Sequence, residues 1–170
     1  KVIDNPNTPA DILKSAYLSR GKIRFENTEW DEAYYDFIEV DKLGGEEGAE
    51  SKYHMAEIAY NKKAFDASEK ELFEMIEGYS SYSNWKYKSY LLLSDVYIGM
   101  EDYFQARATL NTIIENVDEE WVVDIANQKL SQLNEIENQH KIQDEEDDIE
   151  IDLNGDLLEE ELELNTDEDE

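Results

Sequence analysis

Residues 101–110 read "EDYFQARATL", and the spacing inside this stretch decides the fold: Tyr103 stands three residues before Ala106, and Leu110 follows four residues after it. The same spacing occurs twice earlier, as Trp30, Ala33 and Phe37 and as Phe65, Ser68 and Leu72. Seven residues beyond the small one come Val40, Met75 and Ile113, and twelve before it come Gly21, Ala56 and Ser94, all small. Five slots held at constant spacing in three copies mark a repeat. Around them apolar residues recur at three- and four-residue steps, with little strand-like alternation, so the fold class is all-α.

Helix starts are marked by Thr8-Pro9-Ala10-Asp11 and Thr28-Glu29-Trp30-Asp31, where a hydroxyl precedes an acid by three residues. Stops fall at Gly44-Gly45, Gly78 and Gly99. The spacing predicts helices over about 9–26, 29–43, 49–62, 65–77, 84–99, 102–116 and 119–138.

This pattern resembles the tetratricopeptide repeat (TPR), a pair of antiparallel helices with a small residue in each, so that their backbones approach closely. The small pairs are Gly21 with Ala33, Ala56 with Ser68, and Ser94 with Ala106. Successive repeats are 35 and 38 residues apart from Ala33 to Ser68 to Ala106, and the surplus falls in the loops "LGGEEGAE" and "GYSSYSN". Arg24 occupies a slot where the family prefers an aromatic, and the repeat-ending proline is missing throughout. The resemblance implies a right-handed superhelical solenoid of three helix pairs, over about 9–43, 49–77 and 84–116. In "WVVDIANQKLSQLNEI", Trp121, Val122, Ile125, Leu130, Leu133 and Ile136 form one apolar stripe, expected to cap the last repeat. Beyond the generic repeat, "YHMAEIAYNKKAFDASEKELFEMIEGY" resembles the C-terminal repeats of long cell-envelope TPR proteins of Bacteroidetes-type bacteria.

The chain carries 44 acidic and 15 basic residues, a net charge of −29, which repels phosphate backbones and anionic lipid heads. Nucleic acid is excluded as a partner on this ground, and no apolar run is long enough for a membrane insertion. With no cysteine, disulfides and thiolate chemistry are absent. The bases all lie between Lys1 and Lys141, whereas the last 29 residues hold 16 acids and no base. Self-repulsion there predicts a solenoid over 1–141 and an acidic, disordered tail over 142–170. The opening "KVIDNPNTPADIL" has neither an initiator methionine nor a leader, so the chain is expected to be a piece of something longer, with its targeting signal upstream.

In TPR solenoids the first helices line the concave side, which implies three inward slots per repeat: Leu18, Lys22 and Phe25; Tyr53, Glu57 and Tyr60; Leu91, Asp95 and Ile98. This apolar, aromatic strip dotted with acids suits a peptide with apolar anchors and some positive charge. Packing between repeats is the competing role for Tyr53 and Tyr60. The family's carboxylate clamp uses lysine, arginine and asparagine on these slots. Leu18, Tyr53, Glu57 and Asp95 stand there instead, so a chaperone-tail ligand is not expected.

Signals for chemistry are sparse. His54 and His140 are the only histidines, and neither has a second one a turn away, so a helical metal pair is missing. No phosphate loop or nucleophile elbow occurs, hence no catalytic residue and no cofactor is expected. "DLNGDLLEEELE" begins like a calcium loop, with oxygens at Asp152, Asn154 and Asp156 and a glutamate, Glu163, in twelfth place. Its sixth position, which requires glycine, is Leu157. The aromatics Tyr79, Tyr82 and Trp85 are read as a plug between the second and third repeats. The expectation is a non-catalytic protein-binding scaffold, the C-terminal part of a longer TPR protein in a periplasmic or outer-membrane-associated assembly. Alternatives are a subunit of secretion or outer-membrane biogenesis machinery and, from another class, a calcium-responsive module working through the acidic tail.

Overall fold

The computed structural model describes residues 2–166. It contains seven helices: α1 (Ala10–Glu26), α2 (Trp30–Leu43), α3 (Gly45–Asn61), α4 (Phe65–Gly78), α5 (Ser83–Gly99), α6 (Tyr103–Asn116) and α7 (Glu120–Thr166). No strand occurs among the described residues. The chain divides into two units, Lys1–Leu130 and Ser131–Glu170. The first holds α1–α6 and the start of α7; the second is the remainder of α7.

Within the first unit the helices pair as the spacing requires. α1 packs on α2, α3 on α4 and α5 on α6, while α1, α3 and α5 also meet one another in sequence. The small slots sit at the pair interfaces: Ala33, Ala56, Ser68, Ser94 and Ala106 are fully buried. A Cβ at Gly21 would lie 2.8 Å from the Phe37 ring, so this slot tolerates nothing larger. At Ser68 the hydroxyl donates to the Ala56 carbonyl at 2.9 Å, closing the second pair with a hydrogen bond. The fourth-after slots, Phe37, Leu72 and Leu110, are fully buried, each worth about 2–3 kcal/mol of transfer free energy.

The loop "LGGEEGAE" is mostly helix, and α3 begins at Gly45 rather than near 49. Gly44 and Gly45 make the turn together, at φ 65° and 81°, and Glu46 and Glu47 follow in the first turn, where acids suit the helix dipole. Tyr79, expected to plug the gap between the second and third repeats, reaches back to the first instead, where its hydroxyl donates to Asp41 Oδ1 at 2.5 Å. A Cβ at Gly48 would lie 2.7 Å from that hydroxyl.

The expected hydroxyl caps are corrected. Neither α1 nor α2 has a side-chain cap, and Thr8 Oγ1 donates to the Val2 carbonyl instead. Thr28 adopts φ 60°, as do Lys63 at 58° and Glu101 at 62°, at matching places after α1, α3 and α5. In all three the next amide closes a six-residue turn, as Glu29 does on Arg24, Ala64 on Ala59 and Asp102 on Tyr97. This is the Schellman stop, built three times without glycine. Gly99 ends α5 but is not the left-handed residue; a Cβ there would strike the Phe65 ring at 2.5 Å.

Arg24, the departure from the family pattern, has its own partner. Asp36 is buried between α1 and α2 and receives Arg20 Nε at 2.8 Å, Arg20 Nη2 at 2.5 Å and Arg24 Nη1 at 2.6 Å. The first repeat thus replaces an aromatic contact with a buried carboxylate held by two guanidinium groups. A comparable link ties α3 to α4, where Lys52 Nζ meets Glu71 at 2.6 Å and Glu74 at 2.5 Å. Tyr34 of α2 donates to the same Glu71 at 2.7 Å.

The capping helix expected over about 119–138 begins at Glu120, and its helical backbone continues to Thr166. Residues 139–166 contain no proline and a single glycine, so nothing in them stops a helix. The side chains of 144–170 lie outside the described residues, and with them the calcium candidates Asp152, Asn154, Asp156 and Glu163; of the tail expected to be disordered over 142–170, the backbone through Thr166 is helical.

Two stability outcomes follow. Asp36→Ala is expected to cost about 3 kcal/mol in urea unfolding. The double variant Asp36→Leu/Arg24→Tyr should recover most of that, since a well-packed apolar pair substitutes for a buried ion pair. Lys63→Gly and Glu101→Gly should each stabilise the chain by about 1 kcal/mol, because a non-glycine residue is strained in the left-handed region. A loss of stability in either glycine variant would contradict the repeated-stop reading.

Candidate functional site

One side of the first unit carries a cavity of about 680 Å³. Its long wall is the face of α3 bearing Tyr53, Glu57 and Tyr60, spaced at four and three residues so that they stand above one another. α5 supplies Trp85, Lys88, Leu91 and Asp95 by the same periodicity, α1 supplies Lys22, and α7 supplies Trp121, Ile125 and Lys129. Six of the nine inward slots expected from the sequence are brought together here: Lys22, Tyr53, Glu57, Tyr60, Leu91 and Asp95. The other three are not. Leu18 and Phe25 pack on the core of Ala33, Phe37, Met55 and Ile58, and Ile98 is half-buried outside the cavity.

The acids of the strip are less free than the sequence suggested. Lys129 Nζ donates to both Asp95 oxygens, at 2.5 and 2.7 Å. Lys22 pairs with Glu50 across α1 and α3. Burial nonetheless holds the Asp95 carboxyl above the usual carboxylate value, outweighing the pull of Lys129. Burial, and after it the Glu57 carboxylate, push the Tyr53 phenol well up, so Tyr53 stays a neutral donor to Glu57. Tyr60 is raised by burial and then by Asp95. Both tyrosines also pack on the cluster of Ala56, Leu72, Leu92, Leu93 and Val96, so each combines packing with lining.

His54 forms the floor between α1, α2 and α5. Its ring stacks on Phe37 at 5.1 Å and lies 5.5 Å from Phe25, 5.8 Å from Tyr53 and 6.1 Å from Trp85. Nδ1 is 2.6 Å from Glu57 Oε2, whereas buried Nε2 has no hydrogen-bond partner and lies 3.7 Å from Glu50. Among the described residues no group of three ligating side chains could hold a metal ion.

Sequence reasoning missed the part of the lining supplied by the start of α5 and by α7. Trp85, read as a plug, turns into the cavity, 5.5 Å from the Tyr53 ring, and Lys88 Nζ sits 4.2 Å over its indole. The capping stripe splits into two faces. Val122 and Ala126 are fully buried, while Trp121, 40% exposed, and Ile125 line the cavity together with Lys129. The signal was available as the i, i+4, i+8 run Trp121, Ile125, Lys129, which a purely apolar stripe obscured.

In three dimensions the chain is similar to the Arabidopsis OM64 TPR domain, with a TM-score of 0.54 at 16% identity, over 70% of this chain and 94% of that one. Together with the paired helices this makes the fold a TPR-type solenoid. No protein-family model matches the chain, and no curated protein does. No helix among the described residues is long and apolar enough to cross a membrane.

Asp95 gives a pH test of this site. An acid whose folded value is raised binds its proton more tightly when folded. Its contribution is therefore most favourable at low pH and is lost as pH rises from the unfolded value through the folded one. Asp95→Asn removes this dependence. The stability of Asp95→Asn relative to the parent should improve between pH 3 and pH 7, measured by urea unfolding at each pH. An opposite trend would mean that the Lys129 pair outweighs burial.

Proposed function

We propose that this chain is a non-catalytic scaffold that binds a segment of another protein in the cavity lined by α1, α3, α5 and the start of α7. The carrying observation is the wall of Tyr53, Tyr60, Trp85 and Trp121 around an open space of about 680 Å³. Aromatic side chains that present area to solvent beside a depression are the usual anchors of protein recognition. The TPR-type fold of the neighbouring structure supports the same reading. We further propose that the segment bound carries apolar anchors and positive charge. We infer that the chain acts as the C-terminal part of a longer TPR protein in a bacterial cell-envelope assembly, periplasmic or at the outer membrane, a setting that includes secretion and outer-membrane biogenesis machinery. That placement rests on the resemblance of residues 53–79 alone.

Photo-crosslinking tests the binding surface. Benzoylphenylalanine introduced at Trp121, inside the cavity, should trap partner proteins from extracts of the source cells. The same probe at Phe104, 80% exposed on α6, should not. Adding Tyr60→Ala or Trp85→Ala to the Trp121 probe should reduce the trapped product on the order of tenfold, as for a central anchor of an interface. Trapping at Phe104 but not at Trp121 would move the interface to another face and overturn the proposal.

A further inference from the structure

The cavity holds three carboxylates, and the structure distinguishes them. Glu50 is matched by Lys22. Asp95 is matched by Lys129 through both of its oxygens. Glu57 has only Tyr53 and His54, and no lysine or arginine forms an ion pair with it among the described residues. Its side chain is 26% exposed, enough to be reached from the cavity and too little to be fully solvated. A half-buried anion without a permanent cation is a ready acceptor for an incoming one.

Its surroundings favour the same guest. Tyr53 lies one turn before Glu57 and Tyr60 one turn after it, so a cation at Glu57 also faces aromatic rings. The third cation of the cavity, Lys88, is held over Trp85, and it also lines an adjoining depression with Glu46, Asn84 and Trp121. That end presents two tryptophans and suits an apolar residue. An anionic guest would meet Glu57, Glu50 and Asp95 on one wall, and the net charge of −29 would oppose its approach.

We propose that Glu57 is the seat for a lysine or arginine side chain of the protein segment that occupies this cavity, with an apolar neighbour of that residue lying against Trp85 and Trp121. The proposal rests on the groove reading above and goes further by naming which carboxylate reads the partner.

A randomised dodecapeptide display library, panned on the full chain, tests it. Panning in about 0.5 M salt screens the general negative field while leaving a half-buried contact largely intact. The parent chain should enrich peptides with Lys or Arg next to an aliphatic or aromatic residue. A resynthesised peptide should bind Glu57→Gln about tenfold more weakly, roughly 1.4 kcal/mol. Glu57→Lys should enrich acidic peptides instead, and circular dichroism with thermal melting checks that both variants fold. Since Glu57→Gln changes one charge of a large total, unspecific attraction would survive it. Basic peptides that bind Glu57→Gln undiminished overturn the proposal. So do enriched peptides without basic residues, although these would leave the groove reading standing. If nothing is enriched beyond a Trp85→Ala/Trp121→Ala chain, the groove reading itself fails.

Discussion

The structure depends on one steric constraint, the close approach of paired helix backbones. Gly21 meets the Phe37 ring at a distance that leaves no room for a methyl group, and Ser68 hydrogen-bonds directly to the Ala56 backbone. Once the backbones are this close, the residues four and seven beyond each small slot are driven into the interface. Phe37, Val40, Leu72, Met75, Leu110 and Ile113 are buried as a consequence. Each first helix is then turned so that its opposite face can join that of the next first helix, and α1, α3 and α5 come to share one side. The cavity is a by-product of that stacking, and its position is dictated by Gly21, Ala56 and Ser94 long before any lining residue is chosen.

Because this constraint is periodic, it could be read in the sequence. Helix ends fell within one or two residues for most elements, and the fold class followed from five repeating slots. What escaped the sequence was non-periodic. Thr28 carries the composition of a cap but the geometry of a stop, since Schellman closure on Arg24 needs a left-handed residue and accepts a strained threonine when the fold requires it. The start of α3 was hidden because two adjacent glycines look like a long loop, whereas Gly45 both shares the turn with Gly44 and opens the helix. In the candidate site, the three slots expected on α3 all line the cavity. Leu18 and Phe25 do not, because repeat one lacks an earlier helix layer among the described residues and these two slots pack on the core it shares with α3. The pairing of Lys129 with Asp95 was missed for another reason: the two are 34 residues apart, and long-range pairing leaves no local trace.

Basic residues do a particular job in so acidic a chain. Arg20 and Arg24 join α1 to Asp36 of α2, Lys14 and Lys22 join α1 to Glu47 and Glu50 of α3, and Lys52 joins α3 to α4. Lys62 reaches Asp31, and Lys129 ties α7 to α5. Many of the scarce cations thus bridge different helices, where each relieves repulsion between packed elements. Their placement also determines which carboxylates keep an uncompensated charge on the surface of the solenoid.

The number of acids is therefore a poor guide to recognition. An exposed pair of charges 4 Å apart interacts by about 1 kcal/mol in water, whereas the same pair near a protein surface of effective dielectric 20 interacts by about 4 kcal/mol. Acids on the outer helix faces belong to the first regime, and salt screens them further. Glu57, flanked by Tyr53 and Tyr60 and paired with no lysine or arginine among the described residues, belongs to the second. A diffuse field can bring a cationic segment close, but it cannot select one register over another. Selection needs a charge that is fixed in place and partly withdrawn from water, and the ion pairs at Glu50 and Asp95 leave that condition to be met at Glu57.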